Sequence, residues 1–435
     1  MKFKFIIVLL LCSAVFAQEK TTFTLDHCVK RALENNGNIR SAEFEVGSAQ
    51  HKVLSAKTER LPSVEFSGSY TRLSGMEPFS ITMPTGQRLN IFPSIEDNYG
   101  LNLTVKQPVF TGKRISSNIK IAQNIFTAKE NSLAEVKNNI RFAVKNYYWK
   151  LAQAIESEKV VNESIKMVMS HLTDVINLRE NGMASENDVK RVEVQLSNLE
   201  LLNTSIEKGI NLNRTILSKL MNIPLDSQFE IDYKLLSPDF NYDFNAVLNS
   251  AFKDRPLLNS MKSMLRSAEA GREMIKSSFF PSVYLLGNYN YAKPNRNIFP
   301  VKDQWKDTWN AGVMVQFTLW KWGKRKMDYE AADNDYKKFR SDLENLQSDI
   351  ELDIKRIFLQ IDESVKRYKV SKKMVEQAEE NYRISKDKYS SGLLLNSELL
   401  DAEVDLLKAK LEVTKSIMDF NINLAELKKA AGINE

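Results

Sequence analysis

Residues 61–70, LPSVEFSGSY, return as residues 280–289, FPSVYLLGNY, and this recurrence decides how the whole chain is read. Each stretch opens with an apolar residue and a proline, Leu61-Pro62 and Phe280-Pro281, and then alternates. Val64, Phe66, Gly68 and Tyr70 are separated by Glu65, Ser67 and Ser69; Val283, Leu285, Gly287, Tyr289 and Tyr291 are separated by Tyr284, Leu286, Asn288 and Asn290. A period of two marks a strand whose faces meet different surroundings.

Working outward, the similarity persists, so the chain is two copies of one unit. Upstream, Ala32-Leu33 matches Ala251-Phe252 at the same offset of 219 residues. Downstream, Val109-Phe110 then Gly112-Lys113-Arg114 returns as Leu319-Trp320 then Gly323-Lys324-Arg325, and Gly182 to Val189 returns as Gly392 to Leu399 at an offset of 210. Leu217 to Ile223 mirrors Leu427 to Ile433. The change of offset between Pro62 and Gly112 places an insertion of about eight or nine residues in the first copy, in a loop. These landmarks divide the chain into a signal peptide at 1–17, a first repeat at 18–223, a linker at 224–242 and a second repeat at 243–435.

Neither glycine nor proline occurs from Lys113 to Asn181 or from Lys324 to Ser391. These stretches predict long uninterrupted helices at 113–181 and 324–391. Ile350, Ile354, Ile357, Phe358, Ile361 and Val365 recur at helical spacing with charges between them, the pattern of a coiled coil. At about 1.5 Å per residue each helix reaches roughly 100 Å, wider than a globular domain. A turn at Gly182 or Gly392 follows, then a shorter helix near 185–221 or 396–431. Each repeat also begins with a helix, near 38–60 or 256–279. The two shorter helices of a repeat together nearly equal the long one, which suggests a cylinder of one rod against two stacked half-rods.

Strands are expected at about 63–73, 99–109, 282–291 and 309–320, joined by proline-containing loops at 74–98 and 292–308. Runs of about ten residues with one apolar face, aromatic towards the ends, suit a tilted strand crossing hydrocarbon. A soluble sandwich gives the same alternation; the helix-strand-loop-strand-helix order favours the membrane. Closed membrane barrels begin at about eight strands, and an open edge in lipid leaves backbone groups unpaired. Other copies must therefore complete the four strands. Two chains would give a lumen filled with side chains, and three a twelve-stranded barrel with room for a channel.

Lys2 and Lys4, an apolar run from Phe5 to Leu11 and Val15-Phe16-Ala17 read as a cleaved secretory signal. Cys12 falls inside it, leaving Cys28 as the single mature cysteine, so no internal disulfide is expected. The formal charge of +6 comes from interspersed residues rather than basic blocks, and nucleic acid is not implied. His27, His51 and His171 have no metal-ligand spacing and read as surface or helix-packing residues. With no phosphate loop, nucleophile elbow or zinc pair, no active site, cofactor or metal is expected. Phe110, Trp320 and Trp322, beside Lys113, Arg114, Lys321 and Arg325, read as anchors at a membrane interface.

The duplicated order, the Leu-Pro and Phe-Pro strand entries at Pro62 and Pro281, the Gly-Lys-Arg helix starts and the Tyr389-x-x-Gly392 turn followed by Glu398 and Asp401 resemble the TolC-like outer-membrane efflux proteins. The resemblance covers essentially the whole mature chain. It implies a homotrimer with a twelve-stranded barrel in outer-membrane lipid, a periplasmic helical tunnel, and partners in a periplasmic adaptor protein and an inner-membrane pump. The implied function is passive export, in tripartite efflux or type I secretion. In that family, polar contacts near the turns close the tunnel tip and rings of acidic side chains narrow it. Glu398 and Asp401 match the ring positions, Asp188 the corresponding carboxylate of the first copy, and Tyr389 a tyrosine of the closing network. Leu394 stands where the family's model member has an arginine, and Arg191 aligns with Asp401 in the first copy.

The residues also admit a plainer reading. Ser185-x-x-Asp188 resembles a capping box, and carboxylates in a first helical turn favour the helix dipole. Glu398 and Asp401 share a helix face, and threefold copies around an axis would make a cation-selective constriction. The rival for the whole protein is a soluble periplasmic coiled-coil scaffold whose strands never meet lipid.

Overall fold

The structure is a computed structural model describing residues 21–75, 77–92, 94–235 and 237–433. The expected signal peptide and Cys12 lie outside the described residues. The first repeat contains β1 (Thr21–Thr24), α1 (Leu25–Asn35), α2 (Gly37–Thr58), β2 (Ser63–Arg72), β3 (Phe79–Thr82), β4 (Arg88–Phe92), β5 (Asp97–Phe110), α3 (Arg114–Glu180) and α4 (Glu186–Leu220). Then follow β6 (Phe229–Asp232), α5 (Phe244–Asp254), α6 (Pro256–Lys276), β7 (Ser282–Lys293), β8 (Lys306–Gln316), α7 (Lys324–Ser390) and α8 (Asn396–Ala430).

Two compact units result. Among the described residues, one comprises those up to Arg40, Val136–Ala251 and those from Glu351; the other comprises Ser41–Glu135 and Phe252–Ile350.

In the first unit the helices meet along heptad seams. On α7, Ile354, Ile357, Ile361, Ser364, Ser371 and Ser385 are buried, and Tyr368, Val375, Ala378, Tyr382 and Tyr389 continue the same three-four spacing half-buried. α8 presents Leu399, Ala402, Leu406, Ala409, Ser416 and Phe420 at that spacing, all buried. On α3 the buried series is Val161, Ser164, Val168, His171 and Val175. This spacing keeps one stripe facing a partner helix along the rod, which a strict 3.6-residue repeat would not. Small serines let the backbones approach, and the Ser371 and Ser416 hydroxyls meet at 3.4 Å.

The stretch 224–242, read from sequence as linker, contains β6, which pairs in parallel with β1. Four-residue strands carry too few alternations to register as periodic. Tyr148 on α3, 1% exposed, ties this small sheet down by donating its hydroxyl to the Asp232 carbonyl, with the Phe23 carbonyl at 3.4 Å. Cys28 is fully buried on α1.

The second unit holds a four-stranded antiparallel sheet ordered β2-β5-β7-β8. Helices feed it: α2 meets α3 through Ala56, Ile115 and Ile119, and α6 meets α7 through Arg272 and Asp333 at 2.8 Å. The loop expected at 74–98 carries a small hairpin, β3 against β4. β8 stops at Gln316 rather than continuing to residue 320, whereas β5 runs to Phe110. Two neighbours flank β5 and only one flanks β8, so residues 317–320 have no strand to pair with among the described residues.

Candidate functional site

The sheet's register sorts its side chains into two surfaces. Val64, Val105, Gly287 and Ala311 lie in one cross-strand row, and Phe66, Leu103, Tyr289 and Trp309 in the next. This apolar surface is bare: Val64 is 66% exposed, Phe66 68%, Trp309 76% and Val313 66%. Such exposure of large side chains over one continuous face marks a contact surface rather than a solvent boundary.

The opposite surface is polar. Glu65, Thr104, Asn288 and Asn310 form a row across all four strands. Within it the Thr104 hydroxyl donates to Asn288 at 3.0 Å and the Asn288 amide to Asn310 at 2.9 Å, and from the next row the Asn102 amide donates to Thr104 at 3.0 Å. Near the row's helix-proximal side the Lys106 ammonium sits 4.1 Å from the Tyr284 ring centre. β2 and β8 each keep one edge without a partner among the described residues.

Where β8 gives way to α7, Trp320 and Trp322 stand 72% and 87% exposed with their rings 6.0 Å apart edge to face. The Arg325 guanidinium lies 5.0 Å from the Phe317 ring. Phe110, at the matching point of the first repeat, is 46% exposed.

The turns at Gly182 and Gly392 belong to the other unit. Both glycines are left-handed, at φ +72° and +71°, which a side chain would strain. Each closes its long helix with the same pair of bonds: Met183 N–H to Leu178 O at 2.8 Å with Gly182 N–H to Arg179 O at 2.9 Å, and Leu393 N–H to Lys388 O at 2.9 Å with Gly392 N–H to Tyr389 O at 2.9 Å. Met183, Leu393 and Leu395 are left exposed there.

After the first turn a complete capping box starts α4. The Asp188 carboxylate accepts from the Ser185 N–H at 3.0 Å and hydroxyl at 2.6 Å, and the Ser185 hydroxyl accepts from the Asp188 N–H at 3.2 Å. Those Ser185 bonds hold the Asp188 carboxyl below its ordinary range. After the second turn, Leu395 has no side-chain oxygen to offer, so only half the box exists: the Glu398 carboxylate accepts from the Leu395 N–H at 3.1 Å. Glu398 and Asp401 are both exposed. Asn396, 7% exposed, donates its amide to the Asp188 carbonyl at 3.2 Å and so joins the two turns.

Inside these turns lies a buried polar cluster. His171 Nδ1 stands 3.3 Å from the Glu403 carboxylate, and the side chains are 4% and 2% exposed. The Tyr389 ring packs edge-on to His171 at 5.2 Å, and burial raises the Tyr389 hydroxyl's pKa.

Known proteins share this fold. The family described as outer membrane efflux protein matches residues 28–202 and 247–433. The chain belongs to that outer-membrane efflux family. The two matched segments fall one on each repeat. The chain is 21% identical over 399 residues to the toluene efflux pump outer membrane protein TtgC of Pseudomonas putida, covering 89% of this chain and 78% of that one. It is 20% identical over 401 residues to the proteases secretion protein PrtF of Dickeya chrysanthemi, covering 88% and 82%. The crystal structure of the outer membrane protein VceC from Vibrio cholerae superposes with a TM-score of 0.81 at 17% identity, covering 94% of this chain and 96% of that one.

Within this efflux-family fold, Asp188, Tyr389, Glu398 and the two glycines lie at or beside the two turns, while Trp320 and Trp322 pair where β8 gives way to α7 and Phe110 ends β5 at the matching point of the first repeat. Two residues of the turn region, Glu403 and Asn396, carry no motif in the sequence. The signal for Glu403 is indirect, in the three-four spacing of His171 with Val161, Ser164, Val168 and Val175: a histidine on a buried seam needs a partner, and the partner must be found on another helix.

Proposed function

We propose that three copies of this chain close a twelve-stranded barrel in the outer membrane, and that their long helices line a duct into the periplasm. An inner-membrane pump, joined through a periplasmic adaptor protein, supplies substrate to the duct. The chain is a passive conduit. The observation that carries this reading is the four-stranded sheet, apolar on one surface, polar on the other and open at both edges among the described residues. In hydrocarbon an unpaired strand edge costs several kcal/mol per group, so the sheet is viable there only when identical neighbours close it. The polar row of Thr104, Asn288 and Asn310 then faces the water-filled lumen and the apolar surface faces lipid. Phe110, Trp320 and Trp322 sit at the periplasmic-side interface of the outer membrane.

Relatives named for toluene efflux and for protease secretion support a duct whose cargo is chosen by its partners. At the turns, Glu398 and Asp401 are proposed to form acidic rings in the threefold assembly, whereas Asp188 serves mainly as the α4 cap. Leu394 replaces the arginine expected there, and the buried His171, Glu403 and Tyr389 cluster supplies polar closure from within the bundle instead. Fractionation tests the proposal: the protein should partition with outer membrane and resist extraction by carbonate. Release with the periplasmic wash would favour the soluble scaffold and remove the duct.

A further inference from the structure

Within the sheet, the two repeats of one chain meet along the strand pair β5 with β7, and that junction offers a template for the junction between chains. The two hairpins fix how the repeats superpose: Ser63 opposes Lys106 in the first, and Ser282 opposes Gln316 in the second. β2 therefore maps onto β7 at an offset of 219, and β5 onto β8 at an offset of 210, the same offsets the sequence motifs carry. Along the template, Leu103 opposes Tyr289, Val105 opposes Gly287 and Lys106 opposes Leu286; the register then shifts between Pro108 and Phe110, and Phe110 opposes Val283.

We infer that β8 pairs antiparallel with β2 of the neighbouring copy in this same register, placing Val313 opposite Tyr70, Val315 opposite Gly68 and Gln316 opposite Ser67. After a bulge, Trp320 meets Val64 of that neighbour. The inference rests on the closed-barrel reading and goes further, to the residue pairs.

Three features of the single chain support it independently. The register joins apolar surface to apolar surface and polar to polar across the new seam, whereas a slip of one residue would invert every side chain of one strand. The unpaired residues 317–320 map onto the end of β5, where Pro108 and Phe110 pair with β7 alone, so a neighbouring β2 is what this segment lacks. The third feature is a glycine. A methyl group on Gly112 would lie 2.7 Å from the Ser277 carbonyl oxygen and 2.9 Å from Phe280 Cβ, so close approach of the repeats requires glycine there. Its counterpart Gly323 has the same left-handed backbone, φ +75° against +60°, yet nothing described in its own chain lies within 4 Å. By the same superposition, the Thr58 carbonyl and Leu61 of the neighbouring copy fill that space.

Cysteine pairing in the full-length protein, in its native membrane, tests the register. Gln316→Cys with Ser67→Cys places thiols directly opposite, at about 4.5–5.5 Å between Cβ atoms, whereas Gln316→Cys with Ser69→Cys places them diagonally at about 7–8 Å, too far to bridge without backbone movement. The expected result on a non-reducing denaturing gel is a shift of the first variant to covalent dimer and trimer. The second variant and each single substitution should stay monomeric, because the interface is head-to-tail. A trimer, demonstrated by gentle solubilisation, in which the Ser69 variant reacts instead or neither reacts overturns the register alone. Absence of any oligomer in both variants overturns the closed-barrel reading and the register with it.

Discussion

Replacing His171 by leucine should loosen the bundle behind the paired turns by a predictable amount. Glu403 is 2% exposed and His171 4%, so solvent cannot take over when the imidazole is removed. The carboxylate would be left buried without the partner it has at 3.3 Å. Stranding a buried charged group costs about 3 kcal/mol, between the lower range for an unsatisfied polar group and the 3–5 kcal/mol of broken buried pairs. Local opening of this region should therefore become about 150-fold more frequent, at tenfold per 1.4 kcal/mol. Hydrogen exchange followed by mass spectrometry reads this directly. Peptides covering 165–178 and 397–410 should lose protection by about two orders of magnitude, while β5 and β7 stay unchanged. His171→Leu combined with Glu403→Leu should restore protection, because an apolar pair of similar volume replaces the polar one. Unchanged exchange in the single variant, or a double variant as loose as the single one, would refute the claim that the pair holds the bundle.

Asp188→Ala should destabilise the start of α4 by about 1 kcal/mol, visible as faster exchange at 186–190. Because Ser185 holds the Asp188 carboxyl low, its stabilisation is complete above the ordinary aspartate range near pH 4 and fades as pH falls through the lower folded value; Asp188→Asn should lack that acid-sensitive step. Burial pushes the Cys28 thiol up to about 12, so maleimide at pH 8 should leave it unlabelled in the native protein and label it fully in urea. The neutral thiol's contribution to stability is present below about pH 8.5 and is lost as pH rises toward the folded value. Glu398→Ala with Asp401→Ala should weaken cation selectivity in a planar bilayer; unaltered reversal potentials would take both residues out of the constriction.

The parts of this architecture that repeat are legible in the sequence. Repeated landmarks, Pro62 with Pro281 at an offset of 219 and Gly182 with Gly392 at 210, locate the same junctions twice, and glycine-free stretches announce long helices because glycine and proline are what interrupt them. Strand faces are readable at β2 and β5 because alternation continues through many residues. β1 and β6 are not, since each is four residues long and owes its existence to the other, 208 positions away in register. Alternation overextends the end of β8 for a related reason: it continues through Phe317 and Leu319, but a strand needs a neighbour as well as a pattern.

At the turns, the glycines are legible from the repeat and Asp188 from its spacing to Ser185, whereas Glu398 and Tyr389 are picked out only by the family resemblance, and the Tyr389 ring packs on His171, distant in sequence. The capping role of Asp188 is entirely local, three residues from Ser185. The union of His171 with Glu403 and of Asn396 with the Asp188 carbonyl is not local: the partners stand 232 and 208 positions apart. Such pairs are set by which seam positions face each other once the helices pack.

The proposed duct requires two further copies of the four-stranded sheet to close it. Mass measurement of the protein released from membranes in mild detergent, with bound detergent subtracted, examines this most directly. Three chains per particle, each of at most 49.9 kDa, is the predicted result. A homogeneous single chain that stays in solution once detergent is withdrawn would contradict it.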